Sequence, residues 1–292
     1  MSPRELPAHI QAQLRSAGRE TDTGGQPWKG RNLGEGTSHT HAYPQDDGLT
    51  PAPVAEALEA FARAEIPEES VLEALRGTRL FAPVLAELSQ AHVTEDGLVS
   101  DKESEMALVS ISAPDGRRAL PVFTSVDALT SWHPQARPVA AEARRTALAA
   151  VEDGNQLLVL NPGTELVFVL RRPGVWALAK GEPWLPSYSD PEVLAALQRA
   201  AAGIPQARGA QMAPGAGVAA RDAEGRLLPG GGPGPELSVE LLLVPGLDRA
   251  GLDAASETFR AAVAADPLLA ERIDSLEIRV RPVEDREPRP AG

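Results

Sequence analysis

Cysteine is absent from the 292-residue chain. That removes disulfides, thiolate nucleophiles and cysteine-ligated zinc or iron–sulfur centres, and it leaves a reducing compartment fully compatible with the protein. Positive charge is in short supply: 28 Lys and Arg face 41 Asp and Glu, a formal net charge of −13. Lysine occurs only at positions 29, 102 and 180. No basic stripe stands out against this background, so attraction to a phosphate backbone is not expected and nucleic acid is a poor partner. No apolar run approaches the ~20 residues of a membrane helix, and Met1-Ser2-Pro3-Arg4-Glu5-Leu6 lacks the apolar stretch of a signal peptide. A cytoplasmic protein without membrane attachment is the expectation. Enzyme signatures are missing as well. There is no Gly-x-Ser-x-Gly elbow and no Walker-type phosphate loop, and the scattered histidines suggest no Ser, His and Asp trio.

What the chain does have is 27 prolines and 26 glycines, concentrated near the N-terminus and between Gly203 and Pro235. Such clusters punctuate a chain rather than build a core. They predict a disordered tail over 1–50, a first domain over 51–203, a linker over 204–235, a closing unit over 236–285 and a disordered end over 286–292. Within the tail, Leu6, Ile10 and Leu14 allow a short amphipathic helix over 5–16.

Organised patterning begins after Pro51. Val54, Leu58 and Phe61 share one helix face, and Val71, Leu72 and Leu75 share another, closed by Gly77. Leu80 to Leu85 is an apolar run whose Pro83 suits an edge strand or a strand end. Met106–Ala113 and Arg118–Phe123 flank Pro114-Asp115-Gly116 and predict a β-hairpin. Thr124 is placed to cap a helix ending at His133-Pro134, and Ala140–Glu152 predicts an alanine-rich helix. Gln156–Leu160 and Glu165–Leu170 predict a second hairpin around Asn161-Pro162-Gly163. Val175–Lys180, closed by Gly181, and a helix opened by Asp190-Pro191 follow. Beyond the linker, a strand over Glu236–Val244, a helix presenting Leu252, Ala255, Phe259 and Val263, and a strand over Leu276–Val283 form a β-α-β unit. The fold class is therefore α+β: a mixed, largely antiparallel sheet with flanking helices and a C-terminal β-α-β unit.

Five blocks carry a resemblance. They are Lys102-Glu103-Ser104-Glu105-Met106-Ala107-Leu108-Val109, Leu120-Pro121-Val122-Phe123-Thr124-Ser125, Trp132-x-Pro134-x-Ala136-Arg137-Pro138-Val139, Gln156 to Pro162, and Phe168-Val169-Leu170-Arg171-Arg172-Pro173. In this order, over roughly residues 53 to 200, they resemble the N-terminal domain of the SseB family, in an actinobacterial form. The resemblance implies a cytoplasmic protein from a family named for a serine-sensitivity phenotype. It transfers no catalytic residue.

Candidate sites remain few. Lys102, Glu103 and Glu105 stand beside a strand, where alternation puts both carboxylates on one face; they could share a proton or bind a cation, or simply form a solvated strand end. Arg171 and Arg172 sit between a buried strand and a helix, where a guanidinium could grip an anion, or could pair with the acidic surface. Trp132 and Trp176 are candidates for an apolar contact patch, with core packing as the plainer reading. Trp28, near Arg31 in a polar tail, could be a docking motif or could fold back on the chain's own surface. His39 and His41 with Asp46 and Asp47 lack the spacing of a preorganised metal site. No cofactor and no metal are expected. Two functions follow: a non-catalytic interaction or adaptor protein with an unidentified protein partner, as monomer or homodimer, or a sensor or enzyme for an amino acid or anion using Arg171, Arg172, Glu103 and Glu105. A pocket of converging polar groups would favour the second, and an apolar patch near Trp132 or Trp176 the first.

Overall fold

The computed structural model describes Tyr43 and residues 46–88, 104–113, 115–221, 227–229 and 234–283. Glu103, Lys102, Trp28 and Arg31, like the expected tail helix over 5–16, lie outside these residues. The elements in chain order are α1 (Ala52–Ala62), α2 (Glu68–Leu75), β1 (Arg79–Leu88), β2 (Ser104–Leu108), β3 (Ile111–Ser112), β4 (Arg118–Val122), α3 (Val126–Trp132), β5 (Arg137–Glu142), α4 (Ala143–Glu152), β6 (Leu157–Leu160), β7 (Phe168–Leu170), α5 (Arg172–Lys180), a 3-10 turn (Ser187–Ser189), α6 (Pro191–Ala202), β8 (Ala207–Pro214), β9 (Ala219–Arg221), β10 (Leu227–Pro229), β11 (Leu237–Leu243), α7 (Arg249–Ala265), α8 (Pro267–Arg272) and β12 (Leu276–Pro282). The class is α+β with mixed sheets.

The first half holds two sheets, ordered β2-β1-β5 and β3-β4-β6-β7. They are tied by a bridge in which Phe81 and Phe123 exchange backbone hydrogen bonds, both 2.8 Å. The pairing is antiparallel except between β4 and β6. Helices α1, α2, α4 and α5 cover one face, burying Val54, Leu72, Leu120, Leu158, Phe168 and Leu178 in one apolar cluster. The periodic apolar residues of α1 and α2 are those that the helical repeat brings to that face.

The second half is a three-stranded sheet ordered β12-β11-β8. β11 runs parallel to β12, as a β-α-β connection requires, and antiparallel to β8. Leu237, Val239, Leu241 and Leu243 alternate onto the buried face, where Phe259 of α7 and Leu197 of α6 meet them. Each helix here starts on an aspartate cap: Asp190 for α6, Asp248 for α7 and Asp266 for α8.

Several local expectations need correction. The first hairpin is short: β3 pairs with β4, but Met106–Leu108 belongs to β2 and pairs with β1. β1 is a central strand despite Pro83. That residue lies opposite Pro138, and its carbonyl still accepts from the Val109 N–H at 3.2 Å, just past the end of β2. Residues 140–142, expected to open a helix, belong to β5, and α4 begins only at Ala143. Ser125, not Thr124, caps α3 by accepting from the Ala128 N–H at 3.2 Å. The Thr124 hydroxyl is instead turned into the interior toward Thr50 and Asn161. The expected linker contains β8, with seven residue pairs registered on β11 from Leu237↔Pro214 to Leu243↔Ala207. The apolar face of α6 (Val193, Ala196, Leu197, Ala201) packs in the second core.

Candidate functional site

β7 is buried along its whole length, and the Arg171-Arg172-Pro173 step turns it into α5. Proline fits the first helical turn because its missing N–H would have no partner there. Gly181, at φ 76°, ends the helix in the left-handed region, its N–H returning to the Ala177 carbonyl at 2.8 Å. This short helix places both arginines against the second half of the molecule.

Arg171 is 3 % exposed. Its Nη1 meets Asp274 Oδ2 at 2.9 Å, and its Nη2 donates to the Gly217 carbonyl at 3.1 Å. Asp274, equally buried, also receives Arg117 Nη1 at 2.6 Å, and Arg117 is held in turn by Asp115. Gly217 has to be glycine: a Cβ there would lie 2.0 Å from the Gly234 carbonyl oxygen and 2.7 Å from Arg171 Nη2. Arg172 Nη2 donates to the carbonyls of Ala270, at 3.0 Å, and Ile273, at 2.5 Å, which close the end of α8. A guanidinium is well matched to a helix C-terminus. Arg171 thus reaches the second half through the Asp274 carboxylate, and Arg172 through backbone carbonyls.

Beside this junction lies a groove of about 630 Å³ between α5 and α8. Trp176, Trp184, Leu185 and Pro173 line it, and Arg172 and Arg272 reach its edge. Trp176 is 42 % exposed and Leu185 43 %, unusual for large apolar side chains. The charged residues around it are engaged with one another: Lys180 Nζ lies 3.2 Å from Glu271, and Arg272 meets Asp190 at 2.8 Å and Glu192 at 2.5 Å. The Asp190 and Glu192 carboxylates hold the Arg272 guanidinium above its ordinary range, with the hydrogen bond to Asp190 the largest cause. The groove is therefore an aromatic floor with an internally paired rim.

Trp132 is not part of it. It packs on Phe123, with ring centroids 5.4 Å apart, and serves a separate small cluster with Leu129 and Phe81. Glu105 lies in β2 with its Cα opposite that of Glu87. Asp46 is committed to Arg79, its Oδ1 receiving Nη2 at 2.7 Å, and this partner lowers its pKa. No cluster of three metal-ligating side chains occurs among the described residues.

Sequence reasoning missed a further group. Glu68, in the first turn of α2, is 5 % exposed, and Glu236, just before β11, is 2 % exposed. Glu236 Oε2 accepts from the Asp274 N–H at 2.9 Å and Oε1 from the Ser187 N–H at 3.4 Å. Burial, then the Glu236 charge, push Glu68 up to about 7, against a hydrogen bond from Tyr188 and the Arg171 charge. Burial raises Glu236 too, opposed by the Asp274 N–H. Burial also raises Tyr188. An acidic first helical turn reads as an exposed, dipole-favoured feature, so no local signal could have marked Glu68.

Residues 54–177 match the family model of the SseB protein N-terminal domain. The matched part runs from α1 into α5 and covers less than half of the chain. The match ends within α5, before the second core begins. No curated protein and no solved structure matches the chain.

Proposed function

We propose that this protein is a non-catalytic interaction or adaptor protein of the SseB type, acting in the cytoplasm, and that its docking surface is the groove between α5 and α8. The observation that carries this reading is the exposure of Trp176 and Leu185 in one groove. Tryptophan is the side chain that most often anchors an interface, and an apolar floor inside a polar, paired rim is how such anchors are framed. Among the described residues, no helix is long and apolar enough to cross a membrane.

The sensor reading is supported less. It asks Arg171 and Arg172 to grip an anion, yet Arg171 is buried on Asp274 and Arg172 closes the end of α8. Removing them for an incoming carboxylate would open the junction between the two halves.

The test is a pull-down with the full chain as bait, comparing wild type with Trp176→Ala and Leu185→Glu. A specific partner held by wild type and lost by both variants, each with unchanged unfolding temperature, supports docking at the groove. Retention of the partner by both variants refutes it. A parallel thermal-shift screen of amino acids, nucleotides and inorganic anions separates the alternative, since a ligand of the folded state raises the unfolding temperature.

A further inference from the structure

Where the first and second halves meet, acidic groups outnumber the cations that pair with them among the described residues. Glu68 and Glu69 come from α2, Asp115 from the β3–β4 turn, Glu236 from the approach to β11 and Asp274 from the approach to β12. Among the described residues, the guanidiniums that meet these carboxylates are those of Arg117 and Arg171: both lie on Asp274, and Arg117 lies on Asp115 as well. Tyr188, in the 3-10 turn, adds a hydrogen bond to Glu68 but no positive charge. Glu68 Oε1 and Glu69 Oε2 are covered and have no hydrogen-bond partner. A buried carboxylate oxygen without a donor is costly when charged and much less so when the group carries a proton.

We propose that Glu68 holds a proton when the junction is closed, and that loss of this proton loosens the C-terminal unit from the N-terminal domain, making the buried carboxylates a proton-operated latch. The elevated pKa of Glu68, about 7, places the switch near neutral pH. The direction follows from linkage. A group whose folded pKa is raised contributes stability that is complete below its unfolded pKa, near 4.5, and is lost as pH rises through its folded value. The junction is tight at pH 5.5 and looser at pH 7.5. If opening returns Glu68 to water, the opening equilibrium grows about twentyfold between those two values and flattens above pH 7.5. This inference is independent of the docking reading, because it concerns the seam and not the occupant of the groove.

Hydrogen exchange of the full chain tests it, with rates corrected for the intrinsic pH dependence. The amides of Ser187 and Asp274 both bond to Glu236, one of the buried carboxylates of the seam, and sense its surroundings. Segments 185–190 and 272–276 should lose about twentyfold in protection from pH 5.5 to 7.5, while strand segment 157–160 keeps its protection. Glu68→Gln should abolish the loss, and Glu236→Gln should shrink it. Protection at 185–190 and 272–276 that is independent of pH in wild type overturns the latch, whether or not the variants fold. So does an equal loss in Glu68→Gln, or a loss shared by 157–160.

Discussion

Replacing Asp274 by alanine should be among the most damaging single changes outside the apolar cores. The carboxylate is 3 % exposed and accepts from two guanidiniums, Arg171 Nη1 at 2.9 Å and Arg117 Nη1 at 2.6 Å. Arg171 is itself 3 % exposed, so removing Asp274 takes away the carboxylate that holds a buried guanidinium at 2.9 Å. Deleting one partner of such a pair costs about 3–5 kcal/mol, most of it the penalty of the charge left behind. For a domain of this size each kcal/mol lowers the unfolding temperature by roughly 2–4 °C, giving a fall of about 6–20 °C. The attribution is checked by a double-mutant cycle with Arg171→Met, followed by urea unfolding at pH 7. If the cost of Asp274→Ala is stranded charge, the second substitution should return part of it, with a coupling of about 1–3 kcal/mol. A single-variant loss below about 1 kcal/mol, or additivity of the pair within about 0.5 kcal/mol, would refute the reasoning.

Other substitutions probe other parts of the argument. Gly217→Ala drives a methyl into the Gly234 carbonyl and Arg171, and should cost about 1–3 kcal/mol in urea unfolding; a neutral outcome means this segment does not hold Arg171. Ser125→Ala should cost about 1 kcal/mol through loss of the α3 cap, measured by thermal unfolding. Asp46, lowered chiefly by Arg79, contributes stability present above the unfolded carboxylate value and lost as pH falls through its depressed one. Acid titration of stability below pH ~4 should therefore be shallower in Asp46→Asn than in wild type, and superimposable curves would count against the pair.

The residues that sequence periodicity identified are those whose partners are local or whose environment is uniform. Val71, Leu72 and Leu75, the aspartate start of α6, and the alternation of Leu237 to Leu243 follow from helical and strand geometry over a few positions. The family resemblance was legible in short sequence blocks, and the family match covers residues 54–177. Registry was not legible. Met106–Leu108 chose β1 over the nearer hairpin, and Ala207–Pro214, inside a stretch read as linker, became an edge strand because β11 offered an open ladder. Such choices depend on which unpaired edge lies nearby, a long-range property that composition does not encode.

From sequence alone came the α+β class, the family resemblance, the absence of thiol chemistry and the shortage of basic charge, since each follows from residue type or short-range repeat. Tertiary structure alone decided what Arg171 and Arg172 do, that Trp176 and not Trp132 is exposed, and that Glu68 and Glu236 are buried at one seam. A charged side chain looks alike in a sequence whether it meets water or a counter-ion a hundred residues away. Only the fold sets its dielectric surroundings, and with them its proton affinity and its role.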